Sequence, residues 1–500
     1  MARPLVPMGD EPVLVDAADR AVISGELDRT LFVEAGAGSG KTSSLVERIV
    51  NLVDRGGVPV NRIAAITFTE AAARELRTRV RDALEERADR ERNRALEVAA
   101  GQVEAAAFST LHGFALRLLT DHPIEAGLPP GFGVVDEITS TLDFDESWRV
   151  FLGRVGDDLS LLDLQERAAA MGIELRHFAG VARAFGDNWD LLERIDPQPP
   201  VLSDITFDDL LDGIDDLRAL LDWCISRDDA YHPILEAYID ETDRLSRVDP
   251  LDQIQAFARH RVPHKGRGRS TNWRGEGLEA VKTAVEAFNG ALLARVARYR
   301  NEVMEYFITL VADFVATRVE ARQTRGELAY HDLLVLARRL LRSDELVRQT
   351  LHQRYSRILL DEFQDTDPIQ IELAVLLAAP GPVGGRPWTE LAEELEPGRL
   401  VVVGDPKQSI YRFRRADIGV YTEAEAVLVE EPSHLTTNFR SVPGVLAWVN
   451  HVFAATMGEG EPALQPAYVP SARPGSRARL PTPPPRAAPT GRTSPGPGCR

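Results

Sequence analysis

The sequence predicts an α/β fold, a parallel sheet with helices on its faces, interrupted by a large all-α insertion. Three observations carry this. Residues 28 to 135 alternate short apolar strands with amphipathic helices, and from about 140 to 325 strand signals give way to long helical patterns rich in Asp, Glu and Arg. Strand–helix alternation then returns at Arg357–Leu360 and Leu400–Val403. One sheet completed from both sides of a nested insertion accounts for that order.

The elements follow from periodicity. Leu31, Phe32 and Val33 read as the first strand, and Leu45, Ile49, Leu52 and Val53 then fall on one face of a helix that stops at Gly56 and Gly57. A second strand, Ile63 to Phe68, feeds a helix from Ala71 to Arg87. A third, Ala105 to Phe108, feeds Leu111 to Leu119. The helical insertion is broken by HRVPHKGRGRSTNWRG at 260 to 275. From Ser471 to Arg500 no acidic residue occurs, Pro and Arg dominate, and apolar periodicity is lost, so a disordered tail is expected. The expected boundaries are 1–135 and 326–430 for the sheet domain, 136–325 for the insertion, 431–460 for the start of a further domain, and 461–500 for the tail.

Composition limits the function classes. The 500 residues are 44% hydrophobic and 27% charged, enough for several cores. No run approaches the roughly 18 apolar residues of a membrane span, and the N-terminus has no basic region followed by an apolar leader core, so a cytoplasmic location is expected. Cys224 and Cys499 are too few for a disulfide framework or a cysteine zinc site. A formal charge of −19 excludes a protein coated in phosphate-binding cations and confines any nucleic-acid contact to a local track.

Between the first strand and its helix stands AGAGSGKT, residues Ala35, Gly36, Ala37, Gly38, Ser39, Gly40, Lys41 and Thr42. Glycines at alternate positions let backbone N–H groups turn inward around phosphate oxygens, and the helix start adds its positive dipole end. Lys41 is expected to reach the β and γ phosphates of ATP and Thr42 to offer its hydroxyl to Mg²⁺. ILLDEFQDTD, at 358 to 367, sets carboxylates just past an apolar strand, where a parallel sheet presents its ligand-binding edge. Asp361 suits Mg²⁺ and Glu362 suits the attacking water, with Gln364 and Asp365 fixing neighbours by hydrogen bonds.

The order AGAGSGKT, AITFTEAAARELRTRV, FSTLHGFALRLL, LLDEFQDTD, VVGDPKQSIYRFRRAD and LTTNFRS resembles motifs I, Ia, Ib, II, III and IV of the superfamily 1 DNA helicases of the UvrD, RecB and AddA group. The likeness runs from about residue 14 to 455. It implies a P-loop, RecA-like ATP-binding domain with an inserted helical domain, and a DNA-stimulated ATPase that translocates 3′ to 5′ in repair or recombination. It implies ATP and Mg²⁺ as cofactors and single-stranded DNA or a single/double-strand junction as partner. A helicase–nuclease complex is a further partner it suggests.

Carried over by position, the resemblance places Thr67, Phe68 and Thr69 on the single-strand track, with Ser109, Thr110 and His112 on its backbone. Thr67 and Thr69 read equally as helix caps and Phe68 as core. Gln408 matches a γ-phosphate sensor, and Tyr411 and Phe413 match aromatics on which bases stack, interleaved with Arg412, Arg414 and Arg415. Phe439 matches an aromatic against adenine, and Arg440 an arginine that reaches the γ-phosphate. Four departures stand out. Gly is usual where Arg415 stands; His331 takes an acidic place in GELAYHDLL; VDAADRAVISGELDRT offers no counterpart to the family's adenine-reading glutamine; and motifs V and VI are absent. The last suggests a truncated or frameshifted product and an incomplete second RecA-like domain, with the alternative function of binding ATP and DNA without unwinding. The cations Arg259, Arg261, Lys265, Arg267, Arg269 and Arg274 with Trp273 read as a solvated loop or, second, as a duplex contact.

Overall fold

A computed structural model describes residues 14–192, 198–262, 267–365, 367–412, 415–458, 460–461 and 465–474. The chain divides into two compact units, one from Met1–Pro130 with Asp332–Arg500 and one from Gly131–His331.

The first unit is a six-stranded, wholly parallel sheet. Its strands are β1 (Leu31–Ala35), β2 (Ile63–Thr67) and β3 (Ala107–Thr110) from the first stretch; the second unit holds the short pair β4 (Gly133–Val134) and β5 (Glu327–Leu328); and β6 (Arg357–Leu360), β7 (Leu400–Gly404) and β8 (Ser433–Leu435) complete the sheet. The order is β3-β2-β6-β7-β1-β8. Leu31 stands opposite Val401, Ile63 opposite Arg357, and Val33 opposite Ser433. Purely parallel strands need both faces covered, which is why the sheet residues are buried almost without interruption.

Alternation along β1 divides the core. Leu31, Val33 and Ala35 pack with Leu45, Ile49 and Leu52 of the helix Lys41–Asp54, and with Leu76, Val80 and Leu84 of the helix Glu70–Glu91. Phe32 points to the other face, edge-on to Phe363 at 6.1 Å and Tyr421 at 5.0 Å between ring centroids. The helix Pro368–Ala378 is buried from Ile369 to Ala378, as its lack of a polar face requires. Arg48, fully buried on the helix Lys41–Asp54, donates to the carbonyls of Ile23, Glu26, Leu27 and Arg29 and so ties the first helix, Ala17–Gly25, to the sheet.

Three readings shift. β3 begins two residues later than its apolar run suggests and continues to Thr110, because Ala105 belongs to a single 3-10 turn. Ser433–Leu435, expected to open a further domain, instead pairs with β1 as the sheet's last strand. Within the expected tail, Ala472 accepts from Asn438 N–H and donates to Thr436 O, and Ser471 O accepts from the Asn450 amide, so residues 471 and 472 are packed. Residues 462–464 and 475–500 of that reading lie outside the described residues.

The second unit is helical apart from β4 and β5. Its spine is the 49-residue helix Gly277–Arg325, about 70 Å long at 1.5 Å per residue. Val281, Val285, Leu292, Val296, Tyr299, Val303, Phe307 and Val311 form its buried stripe, and Gly326 ends it in the left-handed conformation. In the basic stretch, Trp273 is core, with Tyr231 at 6.1 Å. The Asp229 carboxylate accepts from Arg269 N–H and the Asn272 amide, which fixes the loop. Lys265 lies outside the described residues. Among the described residues no helix is long and apolar enough to cross a membrane.

Candidate nucleotide and nucleic-acid site

The candidate site residues fall at or just beyond the carboxyl ends of β1, β2, β3, β6, β7 and β8, one edge of the parallel sheet. A cleft of about 700 Å³ opens there, lined by Ala35, Gly36, Ala37, Gly38, Ser39, Gly40, Lys41 and Thr42 together with Arg20, Glu362, Gln408, Phe439 and Arg440.

The loop between β1 and its helix turns through two left-handed glycines, Gly38 at φ +74° and Gly40 at φ +81°. At Gly38 a Cβ would sit 2.8 Å from Arg440 Cβ, so only glycine permits the approach of the segment after β8. That segment is tied down. Gly36 N–H donates to Leu435 O, Phe439 N–H to Gly38 O at 2.9 Å, and the Asn438 amide to Ala37 O at 2.7 Å. Asn438 Oδ1 accepts in turn from the N–H groups of Arg440 and Ser441.

Lys41 Nζ lies 2.5 Å from Glu362 Oε1 and 3.3 Å from Asp361 Oδ1. Burial opposes the lysine's charge, but the two carboxylates outweigh it and hold its pKa above the usual value. For Glu362 burial is likewise outweighed, by Lys41 and the Gln364 amide at 2.7 Å, and its pKa falls. Asp361 goes the other way: burial dominates, Glu362 adds to it, and its pKa rises despite Lys41. Glu362 adopts φ +53°, a conformation uncommon outside glycine, at the turn that aims its carboxylate into the cleft. Gln364 links two strand ends, since its Oε1 accepts from Asp405 N–H. Asp405 also accepts from the Gln408 amide at 2.7 Å and pairs with Lys407 at 2.9 Å. Asp365, pushed up to about 6 by burial and the Glu362 charge, completes the acidic group.

Beside this cleft, Thr69 caps the helix Glu70–Glu91 by accepting from Ala72 N–H, and Thr110 caps Leu111–Asp121 by accepting from Gly113 N–H. The Thr110 hydroxyl donates to Glu70 Oε1 at 2.7 Å. Thr67 is buried at the end of β2, while Ser109 and His112 are half-buried on either side of the β3 turn. Phe68 is half-buried and lies 5.0 Å from the Tyr411 ring, at 38°. The structure thus brings Phe68 and Tyr411 together from β2 and the segment after β7. Phe413 and Arg414 lie outside the described residues; Arg415, at φ +67°, pairs with Asp367 at 3.2 Å.

Two residues beside the cleft escaped sequence reasoning. The Asp16 carboxylate accepts from Arg20 Nε and Nη2, from the N–H groups of Thr436 and Thr437, and from the Thr437 hydroxyl. Arg20 Nη2 also donates to Ser39 O at 2.7 Å, and its Cζ lies 5.1 Å from the centroid of the Phe439 ring, which is 53% exposed. Together they clasp the loop to the segment after β8. The only local signal was an Asp and an Arg one helical turn apart.

Thr42, which lines the cleft, and Asp361, 3.3 Å from Lys41 Nζ, offer oxygen donors only. Among the described residues no group of three or more His, Cys, Asp or Glu could hold a metal by itself. That donor set fits Mg²⁺, which takes few protein ligands and completes its shell with phosphate and water.

Residues 15–427 match the model of the UvrD/REP helicase N-terminal domain. The chain is 25% identical to the A subunit of the ATP-dependent helicase/nuclease of Staphylococcus aureus over 87% of its own length and 39% of the relative's. The proteins of that name from Pediococcus pentosaceus and Ligilactobacillus salivarius are each 25% identical, over 85% and 86% of this chain and 38% of theirs. The chain therefore spans about two-fifths of the length of these curated relatives.

Proposed function

The chain belongs to the UvrD/REP helicase family, and on that premise we propose that its cleft binds ATP with Mg²⁺ and hydrolyses it in response to single-stranded DNA. The observation that supports this best is the convergence of Lys41 with Asp361 and Glu362 at 3.3 and 2.5 Å, in the cleft formed by the glycine loop. In this reading the loop N–H groups from Gly36 to Thr42 cradle the phosphates. Lys41 exchanges its carboxylate partners for the β and γ phosphates, which frees Glu362 to orient and deprotonate the attacking water. Thr42 and Asp361 would hold Mg²⁺, which when bound would supply positive charge against the phosphates. Gln408 and Arg440, both lining the cleft, stabilise the γ-phosphate, and Phe439 packs on the base.

The nucleic-acid track runs over Thr67, Phe68, Thr69, Ser109, Thr110 and His112, with bases stacking on Tyr411 and Phe413. The Phe68–Tyr411 contact supports it, because it gives a stacking aromatic a rigid backing beside the turn that carries Gln408. Movement 3′ to 5′, unwinding at a single/double-strand junction, action in repair, and assembly with a helicase–nuclease partner complete the proposal. The relatives' printed names support the last. The nested unit is read as the inserted helical domain and the segment after β8 as the entry to a second RecA-like domain.

Steady-state ATP hydrolysis with increasing single-stranded DNA tests the reading. Wild type is expected to be stimulated and Glu362→Gln to be inactive with and without DNA. Tyr411→Ala should lose stimulation by about tenfold while keeping most basal turnover, given roughly 1–3 kcal/mol per stacked base. Equal loss of both activities in Tyr411→Ala removes the stacking assignment.

A further inference from the structure

We propose that the Glu70 carboxylate holds the place of a DNA phosphate at Thr110 and is displaced when single-stranded DNA binds; the inference rests on the nucleic-acid track proposed above. Glu70 is the first residue of the helix Glu70–Glu91, while Thr110 ends β3 and caps the helix Leu111–Asp121. β2 and β3 are neighbours, with Thr67 opposite Thr110, so the two helix starts stand side by side. The exposed Glu70 side chain crosses between them and accepts from the Thr110 hydroxyl at 2.7 Å.

The hydrogen bonds at Thr110 force a choice. Its oxygen accepts from Gly113 N–H at 3.1 Å, and its single proton goes to Glu70. A phosphodiester oxygen is an acceptor and needs that same proton. Two anions cannot share it, and at that spacing they repel. Glu70 Oε1 also stands 3.6 Å from where a Cβ on Gly113 would lie, which sets the carboxylate over the first turn of Leu111–Asp121, where the helix dipole favours an anion. Arginines further along the helix of Glu70 are engaged elsewhere, Arg77 and Arg81 with Glu104 and Arg79 with Glu75. Thr110 and the helix start thus carry an anion before DNA arrives, and an incoming phosphate gains only the difference. A motor that moves along DNA must let each phosphate go, and a carboxylate that retakes the proton lowers the cost of release. Glu70 also suits the first turn of its own helix, but that role is independent of Thr110.

Fluorescence anisotropy of fluorescein-labelled oligothymidylate, titrated with the full chain, tests this. Wild type, Glu70→Ala, Thr110→Val and the double variant are compared, each shown folded by circular dichroism. Glu70→Ala is expected to bind about tenfold more tightly than wild type. Thr110→Val should weaken binding by less than about twofold in the wild-type background and by about tenfold in the Glu70→Ala background, where the hydroxyl serves the phosphate alone. Loss of the cap on Gly113 is common to both backgrounds and cancels in that comparison. Glu70→Asp keeps the charge but withdraws it from Thr110 by one CH₂, and should gain at least about threefold in affinity. Equal, measurable weakening by Thr110→Val in both backgrounds overturns the inference and leaves Thr110 on the track, as does Glu70→Asp binding like wild type. No effect of Thr110→Val in either background takes Thr110 off the track, and failure of wild type to bind oligothymidylate overturns the track itself.

Discussion

Replacing Asp16 by Ala removes the clasp that joins the first helix, the glycine loop and the segment after β8. Asp16 is 3% exposed and its partner Thr437 is fully buried, so water cannot replace what is lost. Five hydrogen bonds disappear, two of them from backbone N–H groups. Each buried donor left unpaired costs about 1–3 kcal/mol, and breaking a buried ion pair by removing one partner costs about 3–5 kcal/mol. These figures describe overlapping losses and do not add. Arg20 keeps its bond to Ser39 O and some solvent, which lowers the total, so about 3 kcal/mol is expected. Burial pushes the Asp16 carboxyl up, but Arg20 and Thr437 outweigh it and hold it below its ordinary value. A depressed carboxylate contributes stability that is present above its unfolded pKa and lost as pH falls through the folded one. The difference between wild type and Asp16→Ala should therefore be constant from about pH 8 to 5 and shrink only below about pH 4. Urea unfolding followed by far-UV circular dichroism, repeated across that range, measures it. A loss under about 0.5 kcal/mol at pH 7, or one that fades between pH 8 and 5, would refute the reasoning.

Asp365→Asn should act in the opposite sense. A carboxyl raised to about 6 favours the native state below its unfolded value of 3.8 and loses that advantage as pH rises through about 6, so the neutral variant should be more stable at pH 8. After allowance for solvent screening the gain is about 1–2 kcal/mol, and it should vanish toward pH 4; equal stabilisation at both pH values contradicts the assignment. Gly38→Ala places a side chain at φ +74° and 2.8 Å from Arg440 Cβ. A stability loss of about 1–3 kcal/mol with weakened ATP binding is expected in the same urea experiment and in calorimetric titration, and retention of both contradicts the close approach.

Much of the sheet was legible because a buried parallel strand has no polar side: Ile63 to Ile66 and Leu400 to Val403 read as continuous apolar runs. The cleft was legible because the glycine loop and the Asp361–Glu362 pair each carry their chemistry in a few adjacent residues. Ser433–Leu435 was not, since three residues including Ser and His show no strand period, and their place is set by pairing with β1 some 400 residues earlier. Asp16 and Arg20 were missed for the same reason. Asp16's partners Thr436 and Thr437 are 420 and 421 residues away, and Arg20 meets the ring of Phe439 from the same distant segment; a local pattern cannot report contacts at that separation. Phe68 was balanced between core and track; the structure leaves it half-buried against Tyr411, a contact neither segment reveals alone. The left-handed backbone of Glu362 has no sequence signature either, because glycine would ordinarily mark it.

The central claim is that the cleft around Lys41 is a nucleotide site, and calorimetric titration of the full chain with Mg-ATP, wild type against Lys41→Ala, tests it most directly. One ATP per chain is predicted for wild type, with affinity at least about 30-fold lower in the variant, as expected when charge-assisted bonds to phosphate are lost. Equal affinity in the two proteins, with circular dichroism showing both folded, contradicts the claim.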